Sequence, residues 1–265
     1  MAATHHQAAE LLWQHRLAGS KIDALPPALR PADAAGGHAI QARLPAVSGR
    51  AVLGWKIAAT SAAGQAHIGV TGPLAGCLLA GHVQADGATF ALAGNGMRVA
   101  EPEFVFMLGS DLPARLQPYA LPEVLAAVAA LHTGIEVPDS RYADFVRAGE
   151  AQLLADDACA HDFVLGPAAT ADWRSLDLAS HPVQAQVMNA GSLRLVRDGS
   201  GAAVLGDPRL ALAWLANDLR ARGIGLQAGQ FVTTGTCMPP LALQPGDSVV
   251  ADYGVLGRVG ARFVA

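Results

Sequence analysis

Two carboxylates stand two residues apart in "MRVAEPEFVFMLGSDLP" (Met97–Pro113), at the head of an apolar run. In an extended strand the side chains of Glu101 and Glu103 fall on one face, because successive residues alternate. Pro102 between them cannot donate to a ladder, which puts this point at a sheet edge, a strand start or a bulge. Two ionised carboxylates at this spacing repel, so in a half-buried site one takes up a proton or both share a cation. A third acid, Glu136, follows in "HTGIEVPDSRYADF", between Ile135 and Val137. A strand, a helix and a second strand can bring it beside the first two. Three glutamates with no thiolate or imidazole make a hard, oxygen-only set suited to Mg²⁺ or Mn²⁺, with positions left for water or substrate. The plainer alternative is a solvated strand end with two surface acids.

The opposite charge comes from "GWKIAATS" (Gly54–Ser61), where Lys56 lies between Trp55 and Ile57. Only 15% of the chain is charged, so the stem of this lysine is expected to be buried. A buried lysine must be paired or lose basicity, and either makes it a candidate acid/base or anion binder. The alternative is a lysine reaching from a strand edge to water. Thr60 and Ser61 are candidate hydrogen-bond donors to a substrate. "VTTGTCMPP" (Val232–Pro240) reads as a strand turning sharply at Gly235, with hydroxyls on Thr233, Thr234 and Thr236. Asp139 and Arg141 are either supports of the site or a surface ion pair.

The elements that position these groups are legible in outline. Residues 4–18 have helical spacing, with Ala9, Leu11, Leu12, Trp13 and Leu17 on one side. Asp23–Gly37 is rich in Pro and Gly and reads as a linking loop, after which "AIQARL" resumes a helix. From "AVLGWKIAAT" onward, short apolar runs punctuated by Gly, Pro and Asp predict a β-rich core. Three helices are expected to interrupt it, at Pro122–His132, at His181–Asn189 and at Pro208–Arg222. The last has Asp207 as N-cap and Gly223 as stop. Hairpin turns are expected at Arg197–Gly201 and Leu243–Val249. The chain divides into an N-terminal helical segment, residues 1–50, packed on one catalytic core, residues 51–265.

A chain of 265 residues that is 52% hydrophobic can bury a large core and is not disordered. A formal charge of -4 and a pI near 6.1 offer no electrostatic case for nucleic acid or an anionic membrane. The expected partner is a small molecule. Cys77, Cys159 and Cys237 are odd in number and far apart, with neither a disulfide framework nor a CxxC metal motif. That usage, and an N-terminus without the unbroken apolar run of a signal peptide, point to the cytoplasm. No stretch approaches the length of a membrane span.

These stretches, in order, resemble the 2-keto-4-pentenoate hydratase branch of the fumarylacetoacetate hydrolase superfamily. "GWKIAATS" is similar to its Gly-aromatic-Lys-Ile-Gly-x-Thr-Ser segment, and "EPEFVFMLGSDLP" to its Glu-x-Glu strand ending in Asp-Leu-Pro. "GIEVPDSRYADF" resembles the segment bearing the third glutamate; "LLADDACAHDFVLGP", "LGDPRLALAWLANDL" and the run from Leu226 to Phe263 follow in family order. The resemblance implies an α+β fold: a mixed β-sandwich roll like the fumarylacetoacetate hydrolase C-terminal domain, with peripheral helices. It implies a divalent metal, Mg²⁺ or Mn²⁺, on Glu101, Glu103 and Glu136, with Lys56 as catalytic residue. It places Thr60, Ser61, Thr234, Gly235 and Thr236 at the substrate. The implied reaction is hydration of 2-hydroxyalka-2,4-dienoates in aromatic meta-cleavage catabolism, by a homo-oligomer that can complex with a pathway enzyme. A 2-oxo-3-enedioate decarboxylase is the alternative; an acylpyruvate-type hydrolase, with His132 or His161 in a basic dyad, and a non-catalytic partner subunit are further ones. Three departures stand out. Ala80 and Gly81 replace acidic residues near the lysine, leaving His82 as a substitute partner. Cys159 and Ala160 stand where relatives carry a small hydroxyl residue. Arg98 is one position further from Glu101 than the corresponding arginine.

Overall fold

The computed structural model describes residues 2–265. Three helices come first, α1 (Ala2–Ala18), α2 (Ala34–Gln41) and α3 (Leu44–Ser48). Strand β1 (Val52–Ala58), helix α4 (Ala62–Ile68), and strands β2 (Leu74–Leu79), β3 (Val83–Ala85), β4 (Thr89–Ala91) and β5 (Val99–Leu108) follow. Helix α5 (Leu121–Ala126) leads into β6 (Val128–Val137), then α6 (Glu150–Ala155), β7 (Asp162–Ala168), β8 (Pro182–Asn189) and β9 (Ser192–Ser200). Helix α7 (Pro208–Ala221) precedes β10 (Phe231–Thr236), β11 (Leu241–Ala242), β12 (Asp247–Asp252) and β13 (Arg258–Val264).

The strands form two mixed sheets. The larger has the order β2-β1-β10-β5-β6-β7-β3, with β11 added to the end of β5. Its β1/β10 and β3/β7 pairs are parallel. The smaller runs β4-β13-β12-β8-β9. Residues of both sheets share one core: Phe104, Leu131, Ile135 and Val164 from the first, Val183, Val249, Ala251 and Val259 from the second. Mixed sheets over a common core with helices outside match the expected fold class. Helices α1 and α2 build a smaller cluster with Tyr142 and Ala155, using Ala8, Ala9, Leu12 and Ile40 together with Leu25 of the loop between them. Leu17, expected on that face, is 65% exposed. No helix among the described residues is long and apolar enough to cross a membrane.

Helix α7 forms as the sequence predicts: the Asp207 carboxylate accepts from the Arg209 N–H at 2.8 Å, and Gly223 leaves with φ 75°. Four expectations fail for identifiable reasons. The helix expected over Pro122–His132 stops at Ala126, and the chain continues as the ten-residue β6. A full ladder with β5 on one side and β7 on the other outweighs the helix propensity of the alanines. Gly134, which looked like a helix stop, is mid-strand: a Cβ there would lie 2.4 Å from the Phe163 ring and 2.7 Å from Val105. The segment His181–Asn189 is strand β8, with Val183, Ala185 and Val187 buried and Gln184 and Gln186 exposed, a period of two. β9 runs through the expected turn at Arg197–Gly201; the β8/β9 hairpin turns earlier, at Ala190 and Gly191, both at positive φ. Leu243–Val249 does turn, at Gly246, but it joins β11 of one sheet to β12 of the other and is no hairpin.

Candidate functional site

Glu101 and Glu136 face each other directly across the β5/β6 ladder, and Glu103 stands opposite Gly134. This register puts the three carboxylates on one face. An oxygen of each lies within 4.8 Å of the others. Glu103 and Glu136 are fully buried; Glu101 is half-buried at the wall of a cavity. The β10/β5 register shifts between Thr233 and Thr236, next to Pro102, so the proline sits opposite an irregularity as its missing N–H requires.

Strand β10 lies between β5 and β1 and supplies the hydrogen bonds that orient Glu103. The Thr233 hydroxyl and the Gly235 N–H, the latter at 2.7 Å, both donate to Glu103 Oε2. Gly235 has φ 97°, and a Cβ there would lie 2.4 Å from Thr60 Oγ1, so only glycine fits. On β1, Lys56 is 2% exposed, with Nζ 3.1 Å from Glu136 Oε1. The same nitrogen donates to the Ala158 carbonyl at 2.8 Å. That carbonyl is aimed by a rare turn in which Asp157, Ala158 and Cys159 all have positive φ. The turn is anchored by Asp156, which accepts from Ser140 Oγ at 2.6 Å and pairs with Arg141. Arg141 also donates to the Asp139 and Ala160 carbonyls. Asp139 and Arg141 are therefore buried supports and not a surface pair.

The electrostatics follow from burial. Desolvation raises all three glutamates above the usual carboxylate range, and mutual repulsion adds to it for Glu101 and Glu103. Glu101 is pushed up to about 7, by burial first and Glu136 second, against the pull of Lys56. Burial alone would make Lys56 less basic; Glu136, Glu101 and Glu103 outweigh it and keep the ammonium charged. One ammonium does not satisfy three acids. No hydrogen bond of good geometry reaches Glu103 Oε1 or either oxygen of Glu136. Orphaned buried oxygens on two of three clustered hard donors are what a divalent cation would complete. The residues fit such an ion.

The cavity beside them has a volume of about 1100 Å³. Of the residues singled out in the sequence, Lys56, Thr60, Ser61, Glu101 and Thr236 line it. Ser61 is also the cap of α4, accepting from the Gly64 N–H. Two expected substrate contacts are otherwise engaged. Thr234 is fully buried and donates to the Phe104 carbonyl, because the strand alternation turns it away from the Thr233 face. The Gly235 N–H serves Glu103. His82 is not the partner of Lys56: it bonds Asp162 at 2.9 Å, beside Trp13 and His161, outside the cavity. His132 bonds the Gly166 carbonyl. Arg98 is held by Asn95. Sequence reasoning missed the Ala158 carbonyl and the cavity residues His67, Met97 and Phe145. "ADDACA" did carry a signal for the turn, since two adjacent acids inside an apolar stretch need partners.

The family model for the fumarylacetoacetate hydrolase C-terminal domain matches residues 81–264. The chain is 33% identical over 261 residues to the 2-keto-4-pentenoate hydratase 1 of Dechloromonas aromatica (strain RCB), covering 97% of this chain and 95% of that one. It is also 33% identical over 218 residues to a 4-oxalocrotonate decarboxylase of Pseudomonas putida, covering 82% and 79%. The solved 4-oxalocrotonate decarboxylase from Pseudomonas putida G7, complexed with magnesium and adipate, superposes with a TM-score of 0.85 at 27% identity. That match covers 100% of this chain and 98% of the other.

Proposed function

Because this chain belongs to the fumarylacetoacetate hydrolase family, we propose that it is a divalent-metal-dependent hydro-lyase adding water to 2-hydroxyalka-2,4-dienoates. The observation that carries this reading is the cluster Glu101, Glu103 and Glu136 with its orphaned oxygens, beside the charged Lys56 and a roomy cavity. A cation such as Mg²⁺ or Mn²⁺ held by the three glutamates supplies electrophilic stabilisation of negative charge on the substrate's 2-oxygen. Lys56, held by Glu136 and the Ala158 carbonyl, orients the substrate's carboxylate end and stands where it can relay the proton that leaves the 2-hydroxyl. Thr60 and Thr236 offer hydroxyls at the cavity wall.

In the reaction the 2-hydroxyl proton leaves and C5 gains a proton, giving an α,β-unsaturated 2-oxo acid. Water then adds its oxygen to C4 and a proton to C3, and the product is a 4-hydroxy-2-oxo acid. A decarboxylase acting on 2-oxo-3-enedioates would use the same glutamates, and a relative with that name matches at the same 33% identity over a shorter stretch, 218 residues against 261. Acylpyruvate-type hydrolysis finds no support: His132 and His161 are engaged elsewhere and no His–Glu pair faces the cavity among the described residues. The reading extends to a cytoplasmic homo-oligomer in aromatic meta-cleavage catabolism.

The test is to add Mg²⁺ or Mn²⁺ to the purified protein and follow the ultraviolet absorbance of 2-hydroxypenta-2,4-dienoate. Metal-dependent loss of the chromophore, absent in a Glu101→Gln/Glu103→Gln variant, is expected. Metal binding without turnover, with carbon dioxide released from a 2-oxo-3-enedioate, would replace the hydratase by the decarboxylase. Absence of metal binding would remove the site altogether.

A further inference from the structure

The cavity is much larger than a five-carbon dienoate needs, and its charges are unevenly placed. Lys56 and Glu101 mark one end. Among the described residues lining the rest, the ionisable side chains are His67, Asp198, Cys159 and Cys237, and there is no further lysine and no arginine. Lys56 is shared between Glu136, the Ala158 carbonyl and, in the hydratase reading, the carboxylate at the reacting end, which leaves it no donor for a second one. Asp198 is exposed, accepts from Gln184 at 2.9 Å and carries the wrong sign for an anion. His67 lies against the edge of the Phe145 ring, with centroids 6.0 Å apart.

The apolar part of the lining begins where the catalytic part ends. The Ala158–Cys159 turn that touches Lys56 packs in one cluster with Leu74 and Leu153. Ile68, Met97 and Phe145 stand against that cluster, half-buried, and all three line the cavity. A distal carboxylate placed there would be desolvated without a partner, which is strongly unfavourable. An alkyl or aryl group would instead cover apolar surface that water now touches.

From this we infer that the substrate is a monoanion with an apolar group on the carbon furthest from the glutamates, seated among Ile68, Met97, Phe145, Leu74 and Leu153, and that a second carboxylate is rejected. The inference rests on the hydratase reading for the identity of the reacting end. It says in addition what the other end must be. Each methylene buried in such a site is worth about fourfold in affinity.

The experiment uses unreactive saturated probes, so that recognition is read apart from turnover. In Mg²⁺, binding of 2-oxopentanoate, 2-oxooctanoate and 2-oxohexanedioate is measured by titration calorimetry. 2-Oxooctanoate, three methylenes longer, is expected to bind at least tenfold more tightly than 2-oxopentanoate, and the dianion more weakly than either. Ile68→Arg, a change at a half-buried position at the end of α4, is expected to reverse the order of 2-oxooctanoate and 2-oxohexanedioate, with an unchanged circular dichroism spectrum as the control for folding. Equal affinities of the two monoanions, or tightest binding of the dianion to the unaltered protein, would overturn the inference. The same three chain types are then compared as dienoate substrates by kcat/KM. Turnover of the short dienoate with no gain from the longer chain refutes the inference alone. If no monoanionic dienoate is turned over, the hydratase reading falls and the inference falls with it.

Discussion

Replacing Lys56 by methionine keeps the volume of the side chain and removes its charge, and the structure sets the scale of the result. Nζ is 3.1 Å from Glu136 Oε1, both groups are buried, and among the described residues no other lysine or arginine pairs with the three glutamates. At an effective dielectric of about 20, a pair at this distance is worth roughly 5 kcal/mol. Proton uptake by the glutamates relieves part of the loss, since Glu101 already sits near 7. Lys56→Met is therefore expected to lower the unfolding free energy by about 3–5 kcal/mol at pH 8 in EDTA. Removing the orphaned charge as well should restore much of it. In a cycle of Lys56→Met, Glu136→Gln and the double variant, the double is expected to be more stable than the two single losses added together predict, by at least about 2 kcal/mol. Urea unfolding followed by circular dichroism reads this directly, provided the m-value is unchanged. Additivity within about 0.5 kcal/mol would refute the claim that this lysine neutralises the cluster.

Thr233→Val deletes one of the two hydrogen bonds on Glu103 Oε2 and leaves the Gly235 N–H in place. Mn²⁺ affinity should fall by about 10–100-fold with the fold retained, and a change under twofold in a titration would contradict the orienting role. Gly134→Ala forces a methyl group against Phe163 and Val105, at a cost of about 1–3 kcal/mol seen as a lower urea midpoint; an unchanged midpoint would mean that β6 shifts freely. Asp157 is raised from 3.8 to about 6 by burial, against the Cys77 N–H and Arg16. A carboxyl with a raised folded-state pKa favours folding below about 3.8, and that contribution is lost as pH rises through about 6, of order 3 kcal/mol in all. Asp157→Asn should flatten the pH dependence of stability between those limits; an unaltered profile would show that Asp157 is not buried as described.

How much of the site was legible depended on whether a group acts through its type or through its place. The glutamates could be read because their alternation in β5 encodes a shared face, and β6 then needs only the right register to deliver Glu136. Lys56 was legible as a rare charge in apolar surroundings. Thr234 and Gly235 were misplaced because "TTGT" gives the hydroxyls but not which of them faces Glu103. A ladder irregularity decides that. The Ala158 carbonyl was invisible, since a backbone atom has no letter and its aim comes from three left-handed residues held by Arg141 and Asp156. The first half of β6, and β8, were read as helices for a similar reason: pairing partners distant in sequence decide the outcome, although the alternation in β8 was visible in the sequence.

Strand β10 has one more consequence, which concerns time. Lys56 on β1 and the glutamates of β5 are not on adjacent strands; residues 231–236 lie between them and pair with both. A ribosome-bound chain that ends before Phe231 can form the β5/β6 hairpin and gather three acids, but the lysine strand has only β2 to lean on. Closing Gly54 onto Phe231 spans most of the polypeptide, the kind of distant pairing that makes folding slow. Competence for chemistry should thus emerge only in the last cooperative step of folding. Early compact intermediates would hold the acids together with no counter-charge, a state that free magnesium in the surrounding solution would help to tide over.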